Sequence, residues 1–442
     1  MTLSVLTDND VKDILLSLTT EDANVLQANL SEALHSYSTG DTNSPCCSSY
    51  QPLRTVVKKH GVTTLFMPAT TGDAIGMKVV SLEAPETPEK KGSVSSRSTD
   101  SSVKSVGSNL SGMTLSPSST VSSADSTTGS SFQAPPSMAS TQSTTPRGTV
   151  TMMDAQGNPI GILNAEELTA FRTALAATIL FQKREHVHTI TVFGAGKQAY
   201  WHIRLALMFK GDQIKHVNII NRSLERSLKL MKSFQPTEGQ TLPWRSDVKF
   251  SALSPEFGEY GRLLKEQIRK ADAIFCCTPS LEPLFPPEFL TSHNGQKKGR
   301  YISAIGSYAP HMTELHPDIF KHATNIDKEH QHHPHPHFKQ AKKSGVVIVD
   351  TLEGCLKEAG EVIQAKLKPE HLVEVGELMM IKKSVTREME LGGEGEKELK
   401  DWLIRGNVLY KSVGLGLMDL TVGTDLIRLA RERGVGVHVE DF

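Results

Sequence analysis

Residues 191–207 read TVFGAGKQAYWHIRLAL, a β-branched apolar run that stops at Gly194, passes through Gly196 and continues with a helical pattern. A strand that feeds a helix through Gly-x-Gly-x-x-Ala can be housed in few folds. Gly194 permits the tight turn, Gly196 has no Cβ and lets a phosphate approach the backbone, and Ala199 lets the helix pack close to the strand. The new helix brings unpaired N–H groups and the positive end of its dipole to the same point. The turn therefore predicts a dinucleotide site built on Gly194, Ala195, Gly196, Lys197 and Gln198.

The next strand, HVNIIN, indicates which dinucleotide binds. An NAD-preferring site usually closes this strand with a carboxylate on the ribose 2′-hydroxyl. Here it closes with Asn221, Arg222 and Ser223. No carboxylate repels a 2′-phosphate, and the Arg222 guanidinium can grip one as a planar fork. The expected cofactor is NADP(H), with NAD(H) as the alternative.

TITVFG, HVNIIN, VKFSAL, AIFCCT, YISAIG and VVIVDT are near-continuous apolar strands, most of them separated by helical stretches. That rhythm predicts an α/β fold with a parallel sheet covered on both faces. Upstream, TDNDVKDILL reads as a helix capped by Thr7 or Asp8. LRTVVK, GVTTLFMPA and IGMKVVSL read as strands, and TVTMMDAQGNPIGIL as strand–turn–strand. NAEELTAFRTALAATIL reads as a helix capped by Asn164, with Glu167 completing a capping box and Leu168, Phe171, Leu175 and Ile179 as its apolar face. VGLGLMDLTVGTDLIRLARERG reads as a long helix stopped at Gly434.

Between them lies a run dominated by Ser and Thr that cannot bury enough apolar surface to offset its ordering entropy. The expected organisation is a substrate-binding and dimerisation platform of α+β type over 1–84 and 147–185, with part of the C-terminal helix 416–442. A disordered insertion spans 85–146, and a Rossmann domain spans 186–415.

With 48 Lys+Arg against 49 Asp+Glu, nothing argues for a nucleic-acid partner. No basic n-region or long apolar run suggests a signal peptide or membrane span, and five Cys without zinc-like spacing suit reduced thiols, so a cytoplasmic protein is expected. The loop carrying His330, His332, His333, His335 and His337 is broken by Pro and lacks ligand spacing; no metal is expected there. Cys276 and Cys277 read as core residues, and Glu358 and Glu361 in TLEGCLKEAGEVIQA as a solvated helix face, with a helix bordering the cleft as the alternative.

Three cations stand out on otherwise apolar elements: Arg54, Lys78 and Arg172. Arg suits a bidentate carboxylate contact, and Lys adds a compact charge or a proton donor. Converging at one cleft, they would pin an organic acid.

QPLRTVVKKHGVTTLFMPA, GMKVV, NAEELTAFRTALAAT, FGAGKQAYWH, NRS, CCTPSLEPLF, AIGSYAPHMTEL and VLYKSVGLGLMDL occur in this order, and together they resemble the ornithine cyclodeaminase/μ-crystallin family. The resemblance covers most of the chain apart from the Ser-rich and His-rich segments. It implies a Rossmann domain plus a platform, a homodimer, and NAD(P)-linked chemistry on small amino or imino acids. By position it makes Arg54, Lys78 and Arg172 the substrate-carboxylate contacts, Thr149 a neighbour of the nicotinamide, and Thr278 and Ser280 neighbours of the cofactor. Ornithine-cyclising relatives carry an Asp and a Lys in a G-x-D-x-P-x-K-x-E-L-like stretch, where this chain has Tyr308 and Met312. The resemblance therefore implies a ketimine (cyclic imine carboxylate) reductase before an ornithine cyclodeaminase-type deaminating lyase or a catalytically silent NADPH-binding protein.

Overall fold

In the computed structural model, the described residues are 2–40, 51–52, 54–83, 147–235, 244–245, 247–324, 345–378 and 394–442. The Ser/Thr-rich segment, the His-rich loop, Cys46 and Cys47 lie outside them.

Two sheets organise the chain. The first combines β1 (Thr2–Leu6), β2 (Thr55–Lys59), β3 (Val62–Thr70), β4 (Ala74–Glu83), β5 (Arg147–Asp154) and β6 (Pro159–Asn164) with a strand from the far end of the chain. The second is built from β7 (Thr189–Phe193), β8 (His216–Ile220), β9 (Lys249–Leu253), β10 (Ala273–Cys276), β11 (Tyr301–Ala304), β12 (Val347–Val349), β13 (Leu372–Glu374) and β14 (Val408–Lys411). The far-end strand of the first sheet is β15 (Val437–Glu440), which pairs antiparallel with β1.

The second sheet runs β13-β12-β14-β11-β10-β7-β8-β9 with every pairing parallel. The chain leaves β7 toward β8 on one side and returns through β10 on the other, so a crevice opens at the carboxyl end of β7, the switch point of a doubly wound fold. All six strands expected in this region are present. Four strands, β1, β13, β14 and β15, come in addition to those expected.

The first sheet runs β15-β1-β6-β5-β4-β3-β2 and is mixed, β1 and β6 being its parallel pair. Alternation along β4 turns Lys78 and Val80 inward, while Ile75 and Met77 face out. The inward face is covered by α1 (Asp8–Leu16), α3 (Ala165–Phe181) and the C-terminal helix Gly416–Arg433, and α2 (Thr20–Thr39) packs on the last two. β2 is present as expected and pairs with β3, but all five of its residues are exposed, Val56 and Val57 by about half.

Thr7 caps α1 through a reciprocal bond pair with Asp10. Asn164 caps α3 by accepting the Glu166 N–H at 2.9 Å. The expected capping box is absent, since Glu167 turns to a lysine of the next helix instead. The expected apolar stripe of α3 is likewise an understatement: 15 of its residues are buried, because it is sandwiched between the two sheets. The Tyr301 hydroxyl donates to the Ala177 carbonyl at 2.6 Å and ties α3 to the second sheet. Gly434, at φ +64°, ends the C-terminal helix in the left-handed conformation, as expected.

Candidate functional site

β7 ends at Phe193, and Gly194 follows at φ +113°, a conformation L side chains rarely adopt. A Cβ there would come within 2.9 Å of the Cys277 carbonyl oxygen. Half-buried Ala195 leads to Gly196, the N-cap of α4 (Lys197–Lys210), which has no side-chain cap. A Cβ built on Gly196 would meet nothing within 4 Å. The first turn of α4 thus presents its N–H groups to open space at the switch point, and Ala199 is fully buried against the sheet. Gln198 beside it keeps a buried side-chain oxygen without a hydrogen-bond partner among the described residues. This cradle fits the pyrophosphate of a dinucleotide.

At the end of β8, Asn221 Nδ2 donates to the Ser223 carbonyl at 2.9 Å, and Ser223 Oγ caps α5 (Leu224–Lys232) by accepting the Arg226 N–H. Arg222 sits between them, exposed at the strand end.

Four expected cofactor contacts are placed differently. The Lys197 ammonium bridges Asp8 at 3.0 Å, Glu166 at 2.9 Å and Glu167 at 3.3 Å, which leaves its backbone N–H, not its charge, for a phosphate. Burial opposes its charge, but these carboxylates outweigh that and raise its pKa. Thr149 is exposed and pairs with the outward-facing Val79, whereas its neighbour Val150 pairs with Lys78; strand alternation carries Thr149 to the opposite face from the cavity. Ser280 is buried and donates to the Glu282 carbonyl at 2.6 Å. Thr278 gives its N–H to Glu314 at 2.7 Å, and it is its neighbours Cys277 and Pro279 that reach the cavity.

That cavity, about 220 Å³, brings Arg54, Lys78 and Arg172 together with Gly196 and Gln198. The three cations come from the approach to β2, from β4 and from α3, so convergence is a product of the fold. Lys78 Nζ donates to Thr169 Oγ1 at 2.7 Å and to Asp419 Oδ1 at 2.8 Å. Arg172 Nε donates to the same Asp419 oxygen at 3.2 Å. All three side chains are buried. Burial pushes the Lys78 ammonium down to about 8, Asp419 opposing that shift and the Arg172 charge adding to it. Arg54 is partly exposed, and its Nε donates to Glu358 Oε1 at 2.6 Å while its Nη2 meets the other carboxylate oxygen.

The cavity wall hangs on carboxylates whose roles isolated Asp and Glu in a sequence do not signal. Asp350, fully buried at the end of β12, accepts the N–H of Val413 at 3.2 Å and of Gly414 at 2.7 Å, and the Ser412 hydroxyl at 2.6 Å. It thereby fixes the loop of the KSVG motif. Gly414 lies at φ +90°, and a Cβ there would meet the Arg172 guanidinium at 3.0 Å. Glu314 accepts the N–H groups of Thr278 and Gly306, each at 2.7 Å. Burial raises its pKa to about 7 against the pull of Lys411. Glu361, expected on a solvated face, is fully buried, accepts the Ser307 hydroxyl at 2.5 Å and pairs with buried Lys411 at 3.3 Å. Tyr308 lines the cavity, while Met312 is buried in the core and His311 is exposed. Cys276 is buried as expected, but Cys277 reaches the cavity. Among the described residues no group of His, Cys, Asp and Glu could hold a metal ion, and no helix is long and apolar enough to cross a membrane.

No protein-family profile matches the chain. An uncharacterized Saccharomyces cerevisiae protein is 30% identical over 305 residues, spanning 64% of this chain and 74% of that one. A Δ1-pyrroline-2-carboxylate reductase of Bacillus cereus is 25% identical over 296 residues, 66% of this chain and 74% of the relative. The ketimine reductase μ-crystallin of Rattus norvegicus is 25% identical over 211 residues, 47% of this chain and 51% of the relative. Among solved structures, the Thermococcus litoralis Δ1-pyrroline-2-carboxylate reductase with NADH and L-proline superposes with a TM-score of 0.61 at 17% identity, covering 99% of this chain and 100% of that one. An archaeal alanine dehydrogenase dimer with bound NAD gives 0.62 at 18%, with 100% of each chain covered.

Proposed function

Because this chain belongs to the ornithine cyclodeaminase/μ-crystallin family, we propose that it is a nicotinamide-dependent reductase of small imino acids, with a cyclic imine carboxylate as substrate and NADP(H) as cofactor. One observation carries this reading: three cations from three different elements line a single cavity with the glycine turn. An anion pinned there lies beside the dinucleotide cradle.

The nicotinamide, when bound, supplies hydride to the imine carbon. The chain's own task is mainly positioning. Arg172 and Lys78 receive the substrate carboxylate from inside the cavity, and Arg54 from its rim, which fixes the plane of the C=N bond. Asp419 holds Lys78 and Arg172 at one point without cancelling both charges. The nitrogen needs one proton, and the protonated iminium brings it. Ornithine cyclisation asks for more, because a second amine must be deprotonated and ammonia expelled; the family resemblance makes Tyr308 and Met312 the counterparts of an Asp and a Lys in cyclising members, so reduction is the better fit. The outward face of β4 and β5, with exposed Ile75, Met77 and Met153, suits a homodimer contact.

The test is NADPH consumption by purified protein with Δ1-piperideine-2-carboxylate and Δ1-pyrroline-2-carboxylate, run in parallel with NADH. No turnover of any cyclic or acyclic imino acid would refute the reading. Arg222→Ala is expected to weaken NADPH by roughly 10–100-fold, as expected for lost hydrogen bonds to a charged group, and NADH far less. Equal loss for both would remove the case for 2′-phosphate recognition.

A pH prediction follows from Lys78. Its ammonium deprotonates as pH rises through about 8, so kcat/KM should fall about tenfold per pH unit above that point. Lys78→Arg, whose charge persists, should flatten that limb. For folding the sign is opposite: between about 8 and 10.5 the unfolded chain binds a proton that the folded one does not, so the Lys78 contribution to stability rises with pH.

A further inference from the structure

Arg54 borders two spaces. On one side lies the main cavity; on the other lies a vestibule of about 90 Å³ against the helix Leu352–Glu358, and Glu358 lines only the vestibule. The bidentate Arg54–Glu358 pair stands at the partition between them, together with Met67, Val413 and Gly414, which line both. Charge around the partition can be followed group by group. The cavity's anion-binding cations are Arg54, Lys78 and Arg172, and the carboxylates bound to them are Asp419 and Glu358, which leaves a net single positive charge. Lys197, also on the cavity wall, faces three carboxylates, Asp8, Glu166 and Glu167, which makes that end of the wall negative, and the buried Asp350 charge also acts on Arg54. In the vestibule, Lys357 pairs with Glu353 at 2.6 Å, so that space offers no net positive charge to a second anionic group.

We propose that Glu358 is a specificity-determining residue that restricts the site to imino acids with a single carboxylate, by occupying the outer side of Arg54 that the second carboxylate of a dicarboxylic imine would need. The proposal rests on the reading of the cavity as an imino-acid site. A monocarboxylate matches the one surplus positive charge among Arg54, Lys78, Arg172, Asp419 and Glu358, and the carboxylates around Lys197 leave no further cation for a second anionic group. A dicarboxylate has to displace Glu358 from Arg54 and leave two carboxylates, its own and the displaced one, around a single guanidinium. Like charges brought together in a half-buried site disfavour binding, and exclusion by repulsion is a standard source of selectivity. Glu358 reaches Arg54 from a helix that Asp350 and Glu374 brace at its N-terminus, through Thr351 N at 2.9 Å and Leu352 N at 2.7 Å, so it acts from a fixed position.

The test compares two ligands with the same ring, differing in one carboxylate, on the NADP⁺-loaded protein. L-Pipecolate and cis-piperidine-2,6-dicarboxylate are titrated by calorimetry, and turnover is measured with Δ1-piperideine-2-carboxylate and its 2,6-dicarboxylate. The wild-type protein is expected to favour the monocarboxylate at least about tenfold in Kd. Glu358→Gln should shrink that ratio about tenfold or reverse it, and Glu358→Asp, which keeps the charge, should preserve the wild-type preference; melting curves confirm that both variants fold. A wild-type protein that binds both ligands equally, or a Glu358→Gln variant that changes both by the same factor, would overturn the proposal. Imine reduction would still stand if Δ1-piperideine-2-carboxylate were reduced. Selective monocarboxylate binding without any turnover would support the specificity role while refuting the reductase reading.

Discussion

An Asp419→Asn variant is expected to lose at least about 100-fold in kcat/KM and to unfold at a markedly lower temperature. The substitution keeps the shape and one acceptor oxygen but removes the charge that Lys78 and Arg172 share at 2.8 and 3.2 Å. All three groups are buried, so two cations would face each other in a poorly screening environment, and stranding a buried charge costs roughly 3–5 kcal/mol. Part of that cost is relieved in one way only. Lys78, already pushed down to about 8, gives up its proton. The relief removes an ammonium from the carboxylate site, so recovered stability is offset by lost binding. Stability is checked by thermal unfolding and function by the pH profile of kcat/KM, whose basic limb should move below 8. A variant with wild-type kcat/KM and an unmoved limb would show that Lys78 and Arg172 do not hold the substrate.

Gly194→Ala should weaken the dinucleotide by tenfold or more and destabilise the fold at the same time. The backbone there lies at φ +113°, and the new methyl would press on the Cys277 carbonyl oxygen at 2.9 Å, a main-chain atom that cannot swing aside. A side chain held in such a conformation costs on the order of 1–3 kcal/mol. Gly196→Ala is the control. Its Cβ enters open space, so folding should be preserved while the methyl occupies the approach to the α4 N–H groups and weakens the dinucleotide. Fluorescence titration with NADPH and a melting curve on both variants separate the two effects. Unaltered NADPH affinity in Gly196→Ala would argue that the cradle does not hold the pyrophosphate.

What the sequence reveals here follows from how local each signal is. The glycine turn is legible because its constraints are backbone constraints: a positive φ at Gly194 and a bare N-cap at Gly196 act through residue type alone. The apolar strands of the second sheet are legible because burial on both faces leaves few polar residues to blur them. Arg54, Lys78 and Arg172 are noticeable as charges on apolar elements, yet their meeting is a tertiary fact. Asp419, Asp350, Glu314 and Glu361 give no sign at all, because a carboxylate that receives N–H groups from a distant loop looks like a surface acid in one dimension. Glu361 illustrates this: its helix reads as solvated, but packing against buried Lys411 takes it wholly inside. Lys197 fails differently. A lysine at the mouth of a phosphate turn invites a phosphate role, but the N-terminal turns of α1 and α3 deliver three carboxylates to it first.

The C-terminal helix closes the cavity across a long stretch of chain, Asp419 lying 341 positions after Lys78 and 247 after Arg172. On a ribosome adding about 5–20 residues per second, Lys78 would wait roughly 20–70 s for its counter-ion. The parallel sheet, contiguous in sequence, can close meanwhile, whereas the mixed sheet stays open, with the inner faces of α2 and α3 uncovered. Nascent chains halted before Gly416 would therefore lack the counter-ion of Lys78 and Arg172 and would leave apolar surface of α2, α3 and the first sheet uncovered. Assembly of the cavity thus depends on a helix that leaves the exit tunnel long after the residues it pairs with.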